Sequence, residues 1–145
     1  MPLKSNRTKL NPASRSYLII NFIFSGIVVA ILIYSAVFSP ETNNYPVQCV
    51  HEIITGQPCP SCGISHSFSY IIRGDLVRAM EWNRYGLRVF IFFILQLVMR
   101  LSVSSIIIKR GDHTPSLLRF DISLSVIAFL LAFSRFIWYY PSILF

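Results

Sequence analysis

Twenty-two consecutive residues, Tyr17 to Phe38, carry no charged side chain. As a helix the run reaches about 33 Å, enough to cross a hydrocarbon core of roughly 30 Å. A secretory leader is the competing reading, but its apolar stretch is about 7–15 residues and ends in small residues. Here the run ends Ala36-Val37-Phe38-Ser39-Pro40, so it reads as an uncleaved anchor that Pro40 stops. Two further apolar blocks follow, from about Gly86 to Ile108 and from about Ile122 to Tyr140. The second contains Arg88, Gln96 and Arg100, and both arginines are expected to snorkel to the nearer interface. The third carries Arg135 near its end, followed by Trp138, Tyr139 and Tyr140, an expected interfacial aromatic belt.

Composition supports this partition. The chain is 54% hydrophobic and 13% charged, against about 25% charged in a soluble domain. The expected fold is an all-α integral membrane protein with three transmembrane helices plus a short interfacial or re-entrant helical hairpin. Residues 1–16 are expected to form a flexible tail. Residues 17–145 form one membrane domain, with a Cys-rich loop at 39–85. There are no internal repeats and no low-complexity tracts.

The formal charge of +7 then falls into place. Lys4, Arg7, Lys9 and Arg15 precede the first span without an acid. Lys109, Arg110 and Arg119 lie between the second and third, with Asp112 and Asp121. The long loop holds Arg73, Arg78 and Arg84 with Glu41, Glu52, Asp75 and Glu81, and no lysine. The positive-inside rule places the N-terminus and the second loop in the cytoplasm. The long loop and the C-terminus then face outward. The charge excess is a topology signal rather than a nucleic-acid surface, since no nucleic-acid motif is present and polar residues are few. The expected partners are the lipid bilayer and other membrane proteins.

Chemistry concentrates in the outer loop. Pro58 and Pro60 bracket Cys59, so the chain there is extended or turning. Pro60 suits the first position of a helix running through Cys62 and His66 to about Ile72. Ile64, Phe68, Ile71 and Ile72 share one face of it. Arg73-Gly74-Asp75 breaks that helix, and Asp75 can cap a second one over Leu76 to Trp82. Read as an adhesion motif, the Arg-Gly-Asp tripeptide carries little information; read as a break and a cap it has a mechanism.

All three cysteines fall between Cys49 and Cys62. Three readings compete. Cys49, Cys59 and Cys62 with His66 or His51 have the composition of a metal site, with zinc the candidate ion. Cys59 and Cys62 have the two-residue spacing of dithiol oxidoreductases, with Cys59 the attacking thiol and Cys62 the resolving one. A structural disulfide from Cys49 to Cys59 or Cys62 would lock the loop in an oxidising compartment. Both histidines also have a bland reading, one local hydrogen bond each. Arg88 and Arg135 are expected at the level of this loop, and pairing of Asp75 or Glu81 with either would pin the hairpin to the bundle. Gln96, Ser102, Ser104 and Ser105 on span two and Ser123, Ser125 and Ser134 on span three are candidates for hydrogen bonds between helices. No buried acid–base constellation is evident.

The loop resembles a widespread family of small bacterial membrane proteins classed as a domain of unknown function. The residues carrying the resemblance are Cys49, Gly56, Pro58, Cys59, Pro60, Cys62, Gly63, Arg73, Gly74, Asp75, Ala79 and Asn83. Where that family has Thr-Arg after the Cys-Gly element, this chain has Ser65 and His66, which keeps a hydroxyl and removes a fixed cation. The resemblance implies a bacterial inner-membrane protein and implies no reaction. The expected function is an accessory or scaffold subunit of a larger membrane assembly. The alternative is a membrane-surface thiol–disulfide oxidoreductase using Cys59 and Cys62, and a metal-dependent enzyme or transporter is a third.

Overall fold

The structure, a computed structural model, describes residues 11–38, 56, 61–110 and 115–139. The described residues form helices and no strand: α1 (Pro12–Val37), α2 (Ile64–Ile72), α3 (Leu76–Trp82), α4 (Gly86–Arg110) and α5 (Pro115–Tyr139). Three of these, α1, α4 and α5, are long and apolar enough to cross a membrane. The nine residues of α2 and seven of α3 are too short to do so at 1.5 Å per residue.

Helix boundaries follow local chemistry. Pro12 opens α1 with its φ already helical and no N–H to satisfy, and the Asn11 side chain accepts from the Ala13 N–H at 3.4 Å. The helix therefore starts five residues before the expected span, inside the stretch expected to be a flexible tail. Pro115 opens α5 in the same way. That helix begins seven residues before the expected span and takes in Arg119 and Asp121, both expected in a loop. Between α2 and α3 the chain turns through Gly74 at φ +82°, and the Asp75 carboxylate caps α3 by accepting from Arg78 N–H at 3.0 Å.

The bundle is centred on α4, which packs against both α1 and α5, antiparallel to each, while α1 and α5 do not pack along one another. At one end, Leu18 of α1 meets Val103 and Ile107 of α4, with Tyr17 and Leu117 packed around them. At the other end α2 is wedged against α1 and α4, and α3 rests on α2 and the start of α4. Phe68 of α2, 2% exposed, inserts edge-on between Phe90 and Phe93. The α4–α5 seam is aromatic there, with Phe92 edge-on to Phe129 and Phe133 and Tyr85 edge-on to Phe136. Such pairs add about 0.5–1.5 kcal/mol beyond area burial.

The inside of the bundle is more polar than its outside. Ser14, Asn21, Ser25, Ser35, Gln96, Ser104 and Asp121 are buried, whereas Ile20, Ile23, Val98, Phe120 and Leu131 face outward. On α1 the inward positions Ser14, Leu18, Asn21, Ser25, Val28 and Ser35 follow alternating steps of four and three, with half-buried Leu32 completing the series. Small and polar side chains between helices, with large aliphatic ones outside, are what lipid as solvent selects. The fold fits a multi-pass membrane protein in contact with lipid.

Candidate functional site

Two regions carry polar chemistry, the hairpin bearing Cys62 and a cluster inside the bundle. In the hairpin, α2 does not begin at Pro60. It begins at Ile64, after a turn over residues 61–63, because Gly63 adopts φ +77°. A side chain is excluded at Gly63 twice over: the conformation is left-handed, and a Cβ would lie 2.8 Å from the Trp82 carbonyl oxygen. Cys62 is thus half-buried in the turn before the helix rather than on a helical face shared with His66. Its carbonyl accepts from Asn83 Nδ2 at 2.8 Å, while Asn83 Oδ1 accepts from Tyr85 N–H at 2.9 Å. His66 stacks on Trp82 with ring centroids 4.2 Å apart and planes 13° from parallel. Burial pushes its pKa below the ordinary histidine value. Cys49, His51 and Cys59 lie outside the described residues, as do Pro58 and Pro60.

The Arg-Gly-Asp stretch clamps the hairpin to the first span. The Arg73 guanidinium donates to the carbonyls of Ser69 (2.9 Å), Ala36 (3.1 Å), Phe38 (3.4 Å) and Ser35 (3.5 Å). The Ser69 hydroxyl, fully buried, donates to the Ser35 carbonyl at 2.6 Å and reaches that of Phe38 at 3.1 Å. These carbonyls close α1, where helical partners have run out and the helix dipole is negative. α1 has no basic residue of its own in its last turn, so α2 supplies the cation. Gly74 makes the turn and Asp75 caps α3. The ion pair of Asp75 is with Arg78, at 3.2 Å, and not with Arg88 or Arg135, both exposed. The hairpin is pinned by Arg73 and Ser69 instead. Its other fastening is contact without a gap: a Cβ on Gly86, the first residue of α4, would overlap the Ser67 side chain.

The second region lies between the spans. Arg100 of α4 turns inward instead of snorkelling. Its NH1 pairs with Asp121 Oδ2 at 2.5 Å and lies 3.3 Å from Asn21 Oδ1, and its NH2 donates to Ser125 Oγ at 2.8 Å and to Gln96 Oε1 at 3.4 Å. The Tyr17 hydroxyl also donates to Asp121 Oδ2. Asn21 Nδ2 donates to Ser104 Oγ at 3.3 Å, and Ser125 Oγ donates to Gln96 Oε1 at 3.4 Å. The Phe24 ring covers the guanidinium at 5.7 Å. Asp121 is fully buried, and among the described residues its Oδ1 has no hydrogen-bond partner, nor has Gln96 Nε2.

This cluster is the buried charged constellation that sequence reading did not find. Gln96, Ser104 and Ser125 do link helices as expected. Ser105 and Ser134 bond back to their own helices, and Ser102 and Ser123 face outward. Two signals pointed to the cluster. Pro115 as a helix start makes Asp121 intrahelical. Asp121, Ser125, Ala128 and Ala132 then recur at steps of four, three and four, one narrow face of small or polar residues.

Residues 49–97 match the profile of a family described as Protein of unknown function (DUF2752). No curated protein and no solved structure matches the chain. The matched stretch runs from Cys49 through the hairpin into α4. It contains Gly63, Arg73, Gly74, Asp75, Ala79, Asn83, Gly86 and Gln96, and it ends before Arg100 and Asp121. Gly63, Arg73, Gly74, Asp75 and Asn83 shape the hairpin or fasten it to the bundle, and Ala79, 1% exposed, is the buried residue of α3.

Proposed function

We propose that the protein is an accessory subunit of a larger membrane assembly, a three-span carrier that presents the cysteine-bearing hairpin to partner membrane proteins. One observation carries the reading. Ser69, Arg73 and Asn83 spend their polar groups on α1 carbonyls and the Cys62 carbonyl, and Asp75 caps α3, while Ile72, Leu76, Val77, Met80 and Trp82 are left exposed. Exposed apolar residues around a rigidly held, non-spanning element suit a docking surface. In this reading the protein sits in the bacterial cytoplasmic membrane. Its N-terminus is cytoplasmic, and the hairpin and C-terminus are exoplasmic. Extraction from native membranes in a mild detergent tests it: a defined partner should co-purify and be lost when Val77 and Met80 are both changed to Ser. A lone species after extraction, with the hairpin intact, overturns it.

A second reading is membrane-surface thiol–disulfide exchange. It is favoured by the place of Cys62, in the turn leading into the N-terminus of α2, where backbone N–H groups favour a thiolate. A Cys62→Ser or Cys59→Ser protein that still complements a deletion rules it out. The state of the three thiols in freshly isolated protein, bridged, reduced or holding zinc, separates this reading from a structural bridge and from a metal site.

A further inference from the structure

The end of the bundle opposite the hairpin gathers cations with no surface counter-ion among the described residues. Arg15 stands in the first turn of α1, Lys109 and Arg110 close α4, and Arg119 lies near the start of α5, and all four are exposed. The apolar contacts of Tyr17, Ile107 and Leu117 hold these three helix ends together, and Arg15, Lys109 and Arg119 each lie two residues from one of them. Asp121, the acid at this end among the described residues, is fully buried and engaged by Arg100. Lys109 and Arg110 suit the negative end of a helix dipole. Arg15 and Arg119 stand at positive ends, and neither α1 nor α5 has an acid in its first turn. Large apolar side chains facing outward begin directly beside the cations, with Ile19 and Ile20 on α1, Ile108 on α4, and Phe120 and Ile122 on α5. The ring of charge therefore sits where the outward-facing apolar side chains stop. Lys4, Arg7 and Lys9 precede it in sequence, against Asp112. At the hairpin end Arg73 is engaged by α1 carbonyls and Arg78 by Asp75, and the exposed Arg84, Arg88 and Arg135 share that end with the exposed acid Glu81.

We propose that this end binds the phosphate headgroups of anionic phospholipids, which supply the counter-charge that the described residues of this end lack at their surface. The full-length protein, held in neutral-detergent micelles doped with equal amounts of phosphatidylglycerol and phosphatidylcholine, is separated from free micelles and its retained lipid is quantified. Wild type should retain the anionic lipid at least about fivefold over the zwitterionic one, with the preference fading as salt rises. The Lys109→Gln, Arg110→Gln, Arg119→Gln variant should lose the preference while its thermal melting is preserved, and an Arg84→Gln, Arg88→Gln variant at the hairpin end should keep it. Equal retention of both lipids by wild type overturns the proposal. Equal loss in the hairpin-end variant overturns its location. Displacement by inorganic phosphate, but not by chloride of matched ionic strength, would mean a free-anion site instead of a lipid one.

Discussion

Arg100 of α4 and Asp121 of α5 form an ion pair whose carboxylate is wholly shielded. Asp121 stands about 9 Å along α5 from its start, and Arg100 about 15 Å along α4 from its end. Arg100 thus lies well inside its span and Asp121 is carried to it from nearer the start of α5, in surroundings where a lone charge is costly and a paired one holds two helices in register. Tyr17 and Asn21 extend the same network to α1, so the three spans are joined at one level although α1 and α5 do not pack together.

Removing one partner should cost more than removing both. Asp121→Leu leaves the guanidinium buried without its carboxylate, and stability should fall by about 3–5 kcal/mol. Arg100→Leu with Asp121→Leu removes both charges and should recover most of that loss. Thermal unfolding in detergent, followed by circular dichroism, reads the difference. Equal destabilisation of single and double variants would mean that packing, not pairing, dominates.

Two serines separated by one residue should behave in opposite ways. Ser69→Ala removes the buried hydroxyl that closes α1 and should cost about 1 kcal/mol or somewhat more. The Ser67 hydroxyl is equally buried but has no hydrogen-bond partner among the described residues. Ser67→Ala should therefore be neutral or stabilising, and melting temperatures of the two variants check the contrast.

Glycine replacements should separate conformation from contact. Gly74 has φ +82° with nothing within 4 Å of a Cβ, so Gly74→Ala should cost about 1–2 kcal/mol from the left-handed backbone alone. Gly63 has a similar φ, but its Cβ would also strike the Trp82 carbonyl. Gly63→Ala should be clearly worse. Thermal unfolding of both variants decides, and equal losses would remove the contact argument.

Acid should loosen the hairpin through His66. Burial lowers its pKa in the folded protein below the unfolded value of 6.5. The unfolded chain therefore binds the proton more readily between those two values. Stability is fully present above about pH 6.5 and falls as the pH drops towards the lowered pKa. His66→Phe keeps a ring against Trp82 and should flatten that part of the pH profile. An unchanged slope between pH 7 and pH 5 would assign the effect to other groups.

Much of the hairpin was legible because its signals are local. Asp75 could cap only a helix that starts beside it, and Gly74 allows the turn whatever surrounds it. The role of Arg73 was not legible, because its partners at Ser35, Ala36 and Phe38 are backbone carbonyls more than thirty positions away. Backbone oxygens have no residue-type signature. Pro60 as a first helical position puts Cys62 on the helix that follows. The approach of Trp82 to Gly63 makes that stretch a turn, and nothing adjacent in the chain announces it.

The sequence by itself determined that three apolar segments are long enough to span a membrane and that a short, broken helical segment lies between the first two. Those facts rest on hydrophobic run length and on Gly, Pro and capping chemistry, which act within a few residues. Only the tertiary structure decided that Asp121 belongs inside a span rather than in a loop. A carboxylate reads as solvent-exposed until a partner is brought to it, and Arg100, Tyr17 and Asn21 meet it only when three helices pack together.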